Sequence, residues 1–444
     1  MFTNKEIKNL LIPLVIEQIL VMFVGIADTM MVSHAGEAAI SGVALVDMVD
    51  YFIITVLSSV ATGGAVIVSQ YLGSRQRSQT NQSAGQLMIV SGILSTVVMV
   101  LCLMFHQGIL KLLFGKIETD VMEACIIYFI ITAFSFPFLG IYNASAALFR
   151  SIKKTNVTMY VSAFMNVINI VGNVIGIFVL QAGIAGVAVP TLISRAFAAV
   201  LLTILLCRGK YEVHLNFGVV FPPKKEYVQR ILRIAVPNGL ENGFFALGTV
   251  LVTGIVALSG TAQIAANGVA NSIDQIAVMI VNAVNLAMIT VVGQCMGAGE
   301  IEQSKNYTKK LMKVSYIGTA VLGSFICFAL PVILSFYELS DDAYRYTCIL
   351  IVMHNILAVL LHPTSFNLAN SLRAAGDVQF TMAVGISSML LFRLGSGVLF
   401  GIILNLEVIG VWIAMGTDWM ARSVLFTLRY KSGKWKTIKI INEK

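Results

Sequence analysis

Apolar runs of about twenty residues recur from one end of the chain to the other, separated by short polar stretches. A helix rising 1.5 Å per residue needs about twenty residues to cross ~30 Å of hydrocarbon. The runs fall near 8–32, 48–72, 84–108, 119–147, 156–180, 184–207, 231–257, 270–297, 305–335, 343–372, 378–404 and 407–430. Twelve such spans use most of the 444 residues and leave no room for a large water-soluble domain. Composition agrees: 57% of residues are hydrophobic and 12% charged, where a soluble protein carries roughly 25% charged. The mean hydropathy is +0.86. A soluble enzyme, a secreted disulfide scaffold and a disordered tail protein are excluded. The first run carries Glu17 and Asp28 and has no short apolar core with a cleavage site, so it is read as a retained span.

The net charge of +8 is distributed as a topology signal. Sorting Lys and Arg by loop places 24 of the 30 on one side of the membrane, from Lys5 and Lys8 at the start to Lys431–Lys444 at the end. The other side holds Lys111, Lys116 and Arg345, and Arg195, Arg393 and Arg422 lie within spans. Basic residues gather on the cytoplasmic side, so both termini are expected there, in a cell membrane. Nothing in this pattern forms a groove for nucleic acid. The longest polar stretch, 208–230, contains Pro222-Pro223 and Lys224-Lys225. It divides the chain into an N-lobe, 1–207, and a C-lobe, 231–430, followed by a basic cytoplasmic tail, 431–444.

The halves repeat. A shift of 224 residues superposes 13–73 on 237–297 without a gap, with 12 identities in 61 positions. Pro13 meets Pro237, Glu17 meets Glu241, Gly36 meets Gly260, Asp50 meets Asp274 and Gln70 meets Gln294. Coincidence of polar and structure-setting residues at one offset marks a duplication. Each half has an even number of spans, so the repeats share one orientation. The expected fold is an all-α integral membrane protein with twelve transmembrane helices in two six-helix lobes, related by a parallel pseudo-twofold repeat. Such folds bind substrate near the midplane and rock one lobe against the other.

Charged and polar groups inside spans are costly, roughly 2.5–3.5 kcal/mol for a charge at a helix centre. Glu17 and Asp28 are eleven residues apart, three helical turns, and share a face of span 1. Each reads either as a titratable, cation-binding carboxylate or as a structural one. Asn166, Asn169 and Asn173 share one face of span 5 and supply neutral oxygens or interhelical hydrogen bonds. Thr191 follows Pro190 in span 6 and adds a hydroxyl. In the second half, Glu241 lies four residues after Pro237, and Arg393 has no partner on its own helix. Arg393 is a counter-charge for a second-half carboxylate or a snorkelling structural side chain. Asp418 and Arg422 stand i, i+4 and suit a self-contained ion pair. Asp50 and Asp274 fall near the outer ends of spans and read as helix caps.

Neither enzyme chemistry nor a metal site is expected. The six cysteines form no CxxC, the five histidines show no ligand spacing, and there is no HExxH, phosphate-binding loop or nucleophile elbow.

Several segments carry a resemblance when read in order: "IPLVIEQILVMFVGIADTMMVSHAGEAAISG", "ATGGAVIVSQYLG", "GTAQIAANGVANSIDQIA", "VVGQCMGAGE", "LANSLRAAGD" and "GVWIAMGTDWMARS". Together they resemble the multidrug and toxic compound extrusion (MATE) family, its bacterial DinF-like branch. The resemblance implies twelve helices around a V-shaped cavity. It also implies export of cationic or amphipathic compounds by antiport with H⁺ or Na⁺, without a bound cofactor, by a monomer in the lipid bilayer. It makes Asp28 the first-helix carboxylate that takes the coupling ion, with Asn169, Asn173 and Thr191 as oxygen ligands. Asn173 stands where the family often has an Asp, and Ser365 where other members have a helix-10 Asp. Glu17, Glu241 and Arg393 are the candidates for a second coupling or substrate site. One coupling carboxylate implies one ion per drug.

Three other classes of membrane protein fit parts of this pattern. A lipid-linked precursor flippase shares the two-lobed plan but must hold a pyrophosphate with early-span Arg or Lys; the apolar runs of the first two spans supply carboxylates instead. A major-facilitator transporter would carry a charged Gly-Asp-Arg loop after span 2, where this chain has "YLGSRQRSQTNQS". An intramembrane transferase would need a metal or acid–base cluster on a loop.

Overall fold

The computed structural model describes residues 1–115 and 117–441. Of the basic residues used for the topology, Lys116 and Lys444 lie outside the described residues. Among the described residues the chain is helical throughout, with no strand. Twelve long helices follow one another: α1 Asn4–Val32, α2 Glu37–Gly73, α3 Arg77–Phe114, α4 Thr119–Ser151, α5 Thr155–Val179 and α6 Ala185–Cys207. Then come α7 Lys225–Val256, α8 Thr261–Gly297, α9 Ile301–Leu334, α10 Asp341–Ala374, α11 Val378–Ile403 and α12 Glu407–Ser432. The first eleven are long and apolar enough to cross a membrane. The twelfth has 26 residues and carries Asp418 and Arg422 at its centre, which lowers its hydropathy.

Local chemistry sets the ends. Thr3 caps α1 in a reciprocal box with Glu6, and Ser340 caps α10 by accepting from the Ala343 amide. Gly36, with φ at +103°, supplies the left-handed residue that lets α2 start immediately after α1. Wide π-turns interrupt α5 at Ile175–Val179, α10 at Pro363–Asn367 and α11 at Met389–Gly395 and Val398–Ile403. Each adds residues to a turn and so shifts which side chains face inward.

Several helices exceed the expected spans. α2 and α8 have 37 residues each, about 55 Å, and begin at Glu37 and Thr261 rather than near 48 and 270. Their first turns are polar and small, which hydropathy reads as loop. This corrects one assignment. Asp50 and Asp274 are not helix caps: each lies thirteen residues beyond the first residue of its helix and is buried.

The chain forms two compact units, Phe2–Gly239 and Leu240–Lys444 with Met1. The first contains α1–α6 and packs around Val46, Leu57, Leu110, Phe129, Phe136 and Ala188. The segment 208–230 is held to this unit: Asn81 Oδ1 accepts from the His214 amide, and Gln86 Oε1 accepts from the Lys224 amide at 2.9 Å. The second unit packs around Ala266, Ala277, Leu350, Ala358, Val408 and Trp412. Large apolar side chains remain exposed on both units, Leu112 at 85% and Phe328 at 88%, as lipid-facing helices require.

Candidate functional site

The structure joins the four oxygen-bearing residues of the first unit into one hydrogen-bonded chain across three helices. Asn173 on α5 donates from Nδ2 to Asp28 Oδ1 on α1 at 2.7 Å, and also to Asn169 Oδ1 at 3.4 Å. Asn169 Nδ2 donates to Thr191 Oγ1 on α6 at 3.1 Å, and the Thr191 hydroxyl donates a hydrogen bond to the Val187 carbonyl at 3.1 Å. Close backbone approach makes this possible. A Cβ on Gly172 would lie 2.6 Å from Pro190 Cβ, and one on Gly176 would lie 2.2 Å from the Gly186 carbonyl oxygen. Glycine at these positions brings α5 and α6 near enough for short side chains to meet.

One polar atom in this chain is orphaned. Asn173 is fully buried, and its Oδ1 has no hydrogen-bond partner among the described residues. Buried polar atoms are rarely left unpaired without a reason. A neutral oxygen beside a carboxylate is the donor set for a hard monovalent cation or a carboxyl-bound proton. The residues present therefore fit a coupling ion.

Sequence reading missed the rest of this site. Asp47 and Asp50 on α2 share the electrostatic neighbourhood of Asp28, and Arg195 on α6 interacts with all three. Tyr128 on α4 donates to Asp47 Oδ1 at 3.4 Å, and Arg195 Nη1 donates to Ser135 Oγ at 2.7 Å. Asp50 Oδ1 has no hydrogen-bond partner among the described residues. With all groups ionised, three carboxylates face one guanidinium, a deficit of two positive charges in a low-dielectric setting. The i, i+3 spacing of Asp47 and Asp50 was the available signal, hidden by placing 33–47 in a loop.

The remaining candidates are already paired. Glu17 Oε1 meets Arg150 Nη2 at 2.7 Å and its Oε2 accepts from Thr158 at 3.2 Å. Glu241 Oε1 meets Arg373 Nη2 at 2.5 Å, with Arg422 Nη1 at 3.9 Å. Arg422 Nε donates to Asp418 Oδ1 at 2.8 Å, the i, i+4 pair the spacing suggests. Arg393 stands 3.9 Å from Asp418 Oδ2, not beside Glu241. Asp274 Oδ1 lies 2.9 Å from His354 Nδ1. Glu241, Asp418 and Asp274 thus face Arg373, Arg422 and Arg393, and the buried charges of the second unit balance when His354 is neutral. Ser365 donates to the Trp419 carbonyl at 2.7 Å and holds α10 to α12. Among the described residues no group of three or more His, Cys, Asp or Glu could hold a metal ion.

Twelve membrane helices with buried ionisable groups inside two compact units define a multi-pass membrane transporter. The family model MatE matches residues 13–175 and 235–399, most of both repeats, and the chain belongs to the MatE family. An uncharacterized transporter from Bacillus subtilis, YisQ, is 29% identical over 437 residues, covering 95% of this chain and 93% of that protein. A probable multidrug resistance protein NorM from Thermotoga maritima is 26% identical over 98% of this chain and 93% of its own length. A solved outward-facing MATE multidrug resistance transporter of the MOP superfamily superposes with a TM-score of 0.91 at 19% identity, covering 98% and 97% of the two chains. That last likeness concerns the fold.

Proposed function

We propose that this protein is a secondary active exporter of cationic or amphipathic compounds, driven by entry of H⁺ or Na⁺ in antiport. The observation that carries the reading is the charge deficit of the first unit: Asp28, Asp47 and Asp50 against Arg195, with the Asn173 oxygen unpartnered beside Asp28. Such a site is stabilised by a bound cation and destabilised by its loss. A ligand that favours the state with the ion released then competes with the ion through conformation, which is the energetic basis of exchange. Asp28 acts as the ion-binding carboxylate, and Asn169, Asn173 and Thr191 position it and supply oxygens. The names of the relatives as multidrug resistance proteins support a drug substrate. The distribution of basic residues supports a cell-membrane location with both termini in the cytoplasm.

The test is reconstitution of the full chain in proteoliposomes and measurement of efflux of a monocationic dye against an imposed H⁺ or Na⁺ gradient. Asp28→Asn should abolish gradient-driven efflux while the protein stays folded and inserted. Gradient-driven transport at the wild-type rate by a well-folded Asp28→Asn variant would overturn the reading.

A further inference from the structure

Among the described residues of the second unit, Glu241, Asp274, Asp377 and Asp418 are the buried carboxylates. Three of them have an arginine as ion-pair partner. Glu241 meets Arg373, Asp377 meets Arg429, and Asp418 meets Arg422, with Arg393 at 3.9 Å. Asp274 is the exception. Its ion-pair partner is the imidazole of His354, whose Nδ1 stands 2.9 Å from Asp274 Oδ1. Neither of these two atoms has another hydrogen-bond partner among the described residues. Arginine is charged at every working pH, whereas imidazole is charged only after it has taken up a proton. Asp274 therefore has a charged partner only when His354 is protonated.

The first unit meets the same need with a fixed charge. Asp274 repeats Asp50 at the 224-residue offset, and Asp50 has Arg195 in its electrostatic neighbourhood. The offset extends to α6 and α12. A Cβ on Gly186 would meet the carbonyl carbon and oxygen of Gly176, each at 2.7 Å, and one on Gly410 would meet the same atoms of Phe400 at 2.5 and 2.6 Å. In that register Arg195 becomes Trp419. An arginine has given way to an apolar ring, and the counter-charge of the aspartate has passed to a side chain that titrates.

The surroundings suit a proton rather than a metal cation. One carboxylate and one ring nitrogen are too few oxygen ligands for a hard metal ion. His354 is buried, and Trp412 and Trp419 on α12 meet its ring edge-on, with ring centroids 5.9 and 5.4 Å away. From α11, Arg393 acts on Asp274 and opposes a second positive charge, and Asp418 at 3.9 Å offsets it. On α12, Asp418 and Arg422 pair with each other. On α10, His362 lies eight residues further on. Beyond Lys313, α9 offers Tyr316 and Cys327 but no Asp, Glu, Lys, Arg or His, and α7 has none of those five after Glu241. Trp412 also lines a small open space with Asn267, Asn271 and Arg393, wide enough for the water that would bring protons.

We propose that Asp274 and His354 form a proton-binding site in the second unit, separate from the cation site of the first. Uptake of a proton by the imidazole completes an ion pair between α8 and α10. Its loss leaves Asp274 without a charged partner, so proton occupancy biases how these two helices pack.

An imidazolium ring quenches the fluorescence of an indole it touches, and neutral imidazole does so far less. Trp412 touches His354, whereas Trp419 touches both His354 and His362. The experiment is a pH titration of tryptophan fluorescence on the purified full-length protein in detergent, with Trp419→Phe and Trp435→Phe so that Trp412 is the sole reporter. No gradient and no drug are present, so failure of ion exchange does not move the result. Emission should fall in one step as the solution is acidified from about pH 9 to about pH 5. His354→Gln should remove the step. Asp274→Asn removes the anion that favours the bound proton, so the step should need about tenfold more acid or beyond. If the reporter variant does not fold, ring ¹⁵N NMR of the histidines in the wild-type protein follows the same titration, with the His354→Gln spectrum to assign it. No step, a step that survives His354→Gln, or a step at an unchanged pH in Asp274→Asn would each overturn the proposal.

Discussion

Asn173 reaches from α5 to α1 and donates to Asp28 Oδ1 at 2.7 Å, while its own oxygen stays buried and unpartnered. A leucine at 173 would fill similar space but remove both the donor that orients Asp28 and the free oxygen. Groups that orient an ion ligand contribute about ten- to a hundredfold to affinity or activity. Asn173→Leu is therefore expected to reduce gradient-driven efflux about tenfold or more and to raise the ion concentration needed for half-maximal rate. Asn173→Asp keeps an oxygen there and adds a charge, and should lower that concentration. Efflux measured over a range of ion concentrations checks both. A wild-type ion response in Asn173→Leu would remove Asn173 from the site.

Glu17 shares a helix face with Asp28 but has the opposite environment. Arg150 and Thr158 satisfy both its oxygens, and it is buried. Removing one partner of a buried ion pair leaves the other charge stranded, at a cost of about 3–5 kcal/mol. Glu17→Gln should lower thermal stability markedly, and Glu17→Gln combined with Arg150→Gln should recover part of the loss. The protein that does fold is expected to keep its ion dependence. A stable Glu17→Gln variant lacking ion dependence would make Glu17 a coupling residue after all.

The contact of α5 with α6 has little tolerance. A Cβ on Gly186 would stand 2.7 Å from backbone atoms of Gly176, which cannot rotate away as a side chain could. Gly186→Ala must push the helices apart, an overpacking cost of about 1–3 kcal/mol. It should also stretch the Asn169–Thr191 hydrogen bond. Gly108 on α3 has open space around its missing Cβ, so Gly108→Ala should leave stability equal or raise it, by less than about 1 kcal/mol. Thermal unfolding of the two variants in detergent compares them directly; equal melting temperatures would show that α5 and α6 can separate freely.

The contrast between these residues shows what a sequence of this kind discloses. The twelve spans were legible because a membrane demands long apolar runs, and Asp28, Asn169, Asn173 and Thr191 stood out as polar residues inside such runs. Their joining into one hydrogen-bonded chain is consistent with the shared face of span 5. Partners lying far along the chain were not legible. Arg150 and Arg373 sit at the ends of apolar runs, where basic residues read as cytoplasmic loop positions, yet they pair with Glu17 and Glu241 at 2.7 and 2.5 Å. Asp47 fell in a stretch whose hydropathy resembles a loop, though it lies inside α2.

The number of carboxylates around Arg195 changes the expected energetics. One coupling carboxylate would mean one ion entering per monocationic drug leaving, an exchange that moves no net charge. The first unit instead offers Asp28, Asp47 and Asp50 against a single Arg195. A deficit of two charges accommodates two monovalent cations, so each cycle exporting a monocation would move one positive charge inward. Moving one charge through 100 mV contributes about 2.3 kcal/mol, which at 1.4 kcal/mol per tenfold supports roughly a fortyfold additional drug gradient. For a monocation such as ethidium in inverted vesicles, clamping the membrane potential at zero at a fixed ion gradient should cut the accumulation reached by about that factor. Asp47→Asn should bring back accumulation that ignores the potential, at a lower level. Accumulation by the wild-type protein that is insensitive to the potential would establish one-for-one exchange and leave Asp28 as the sole coupling carboxylate.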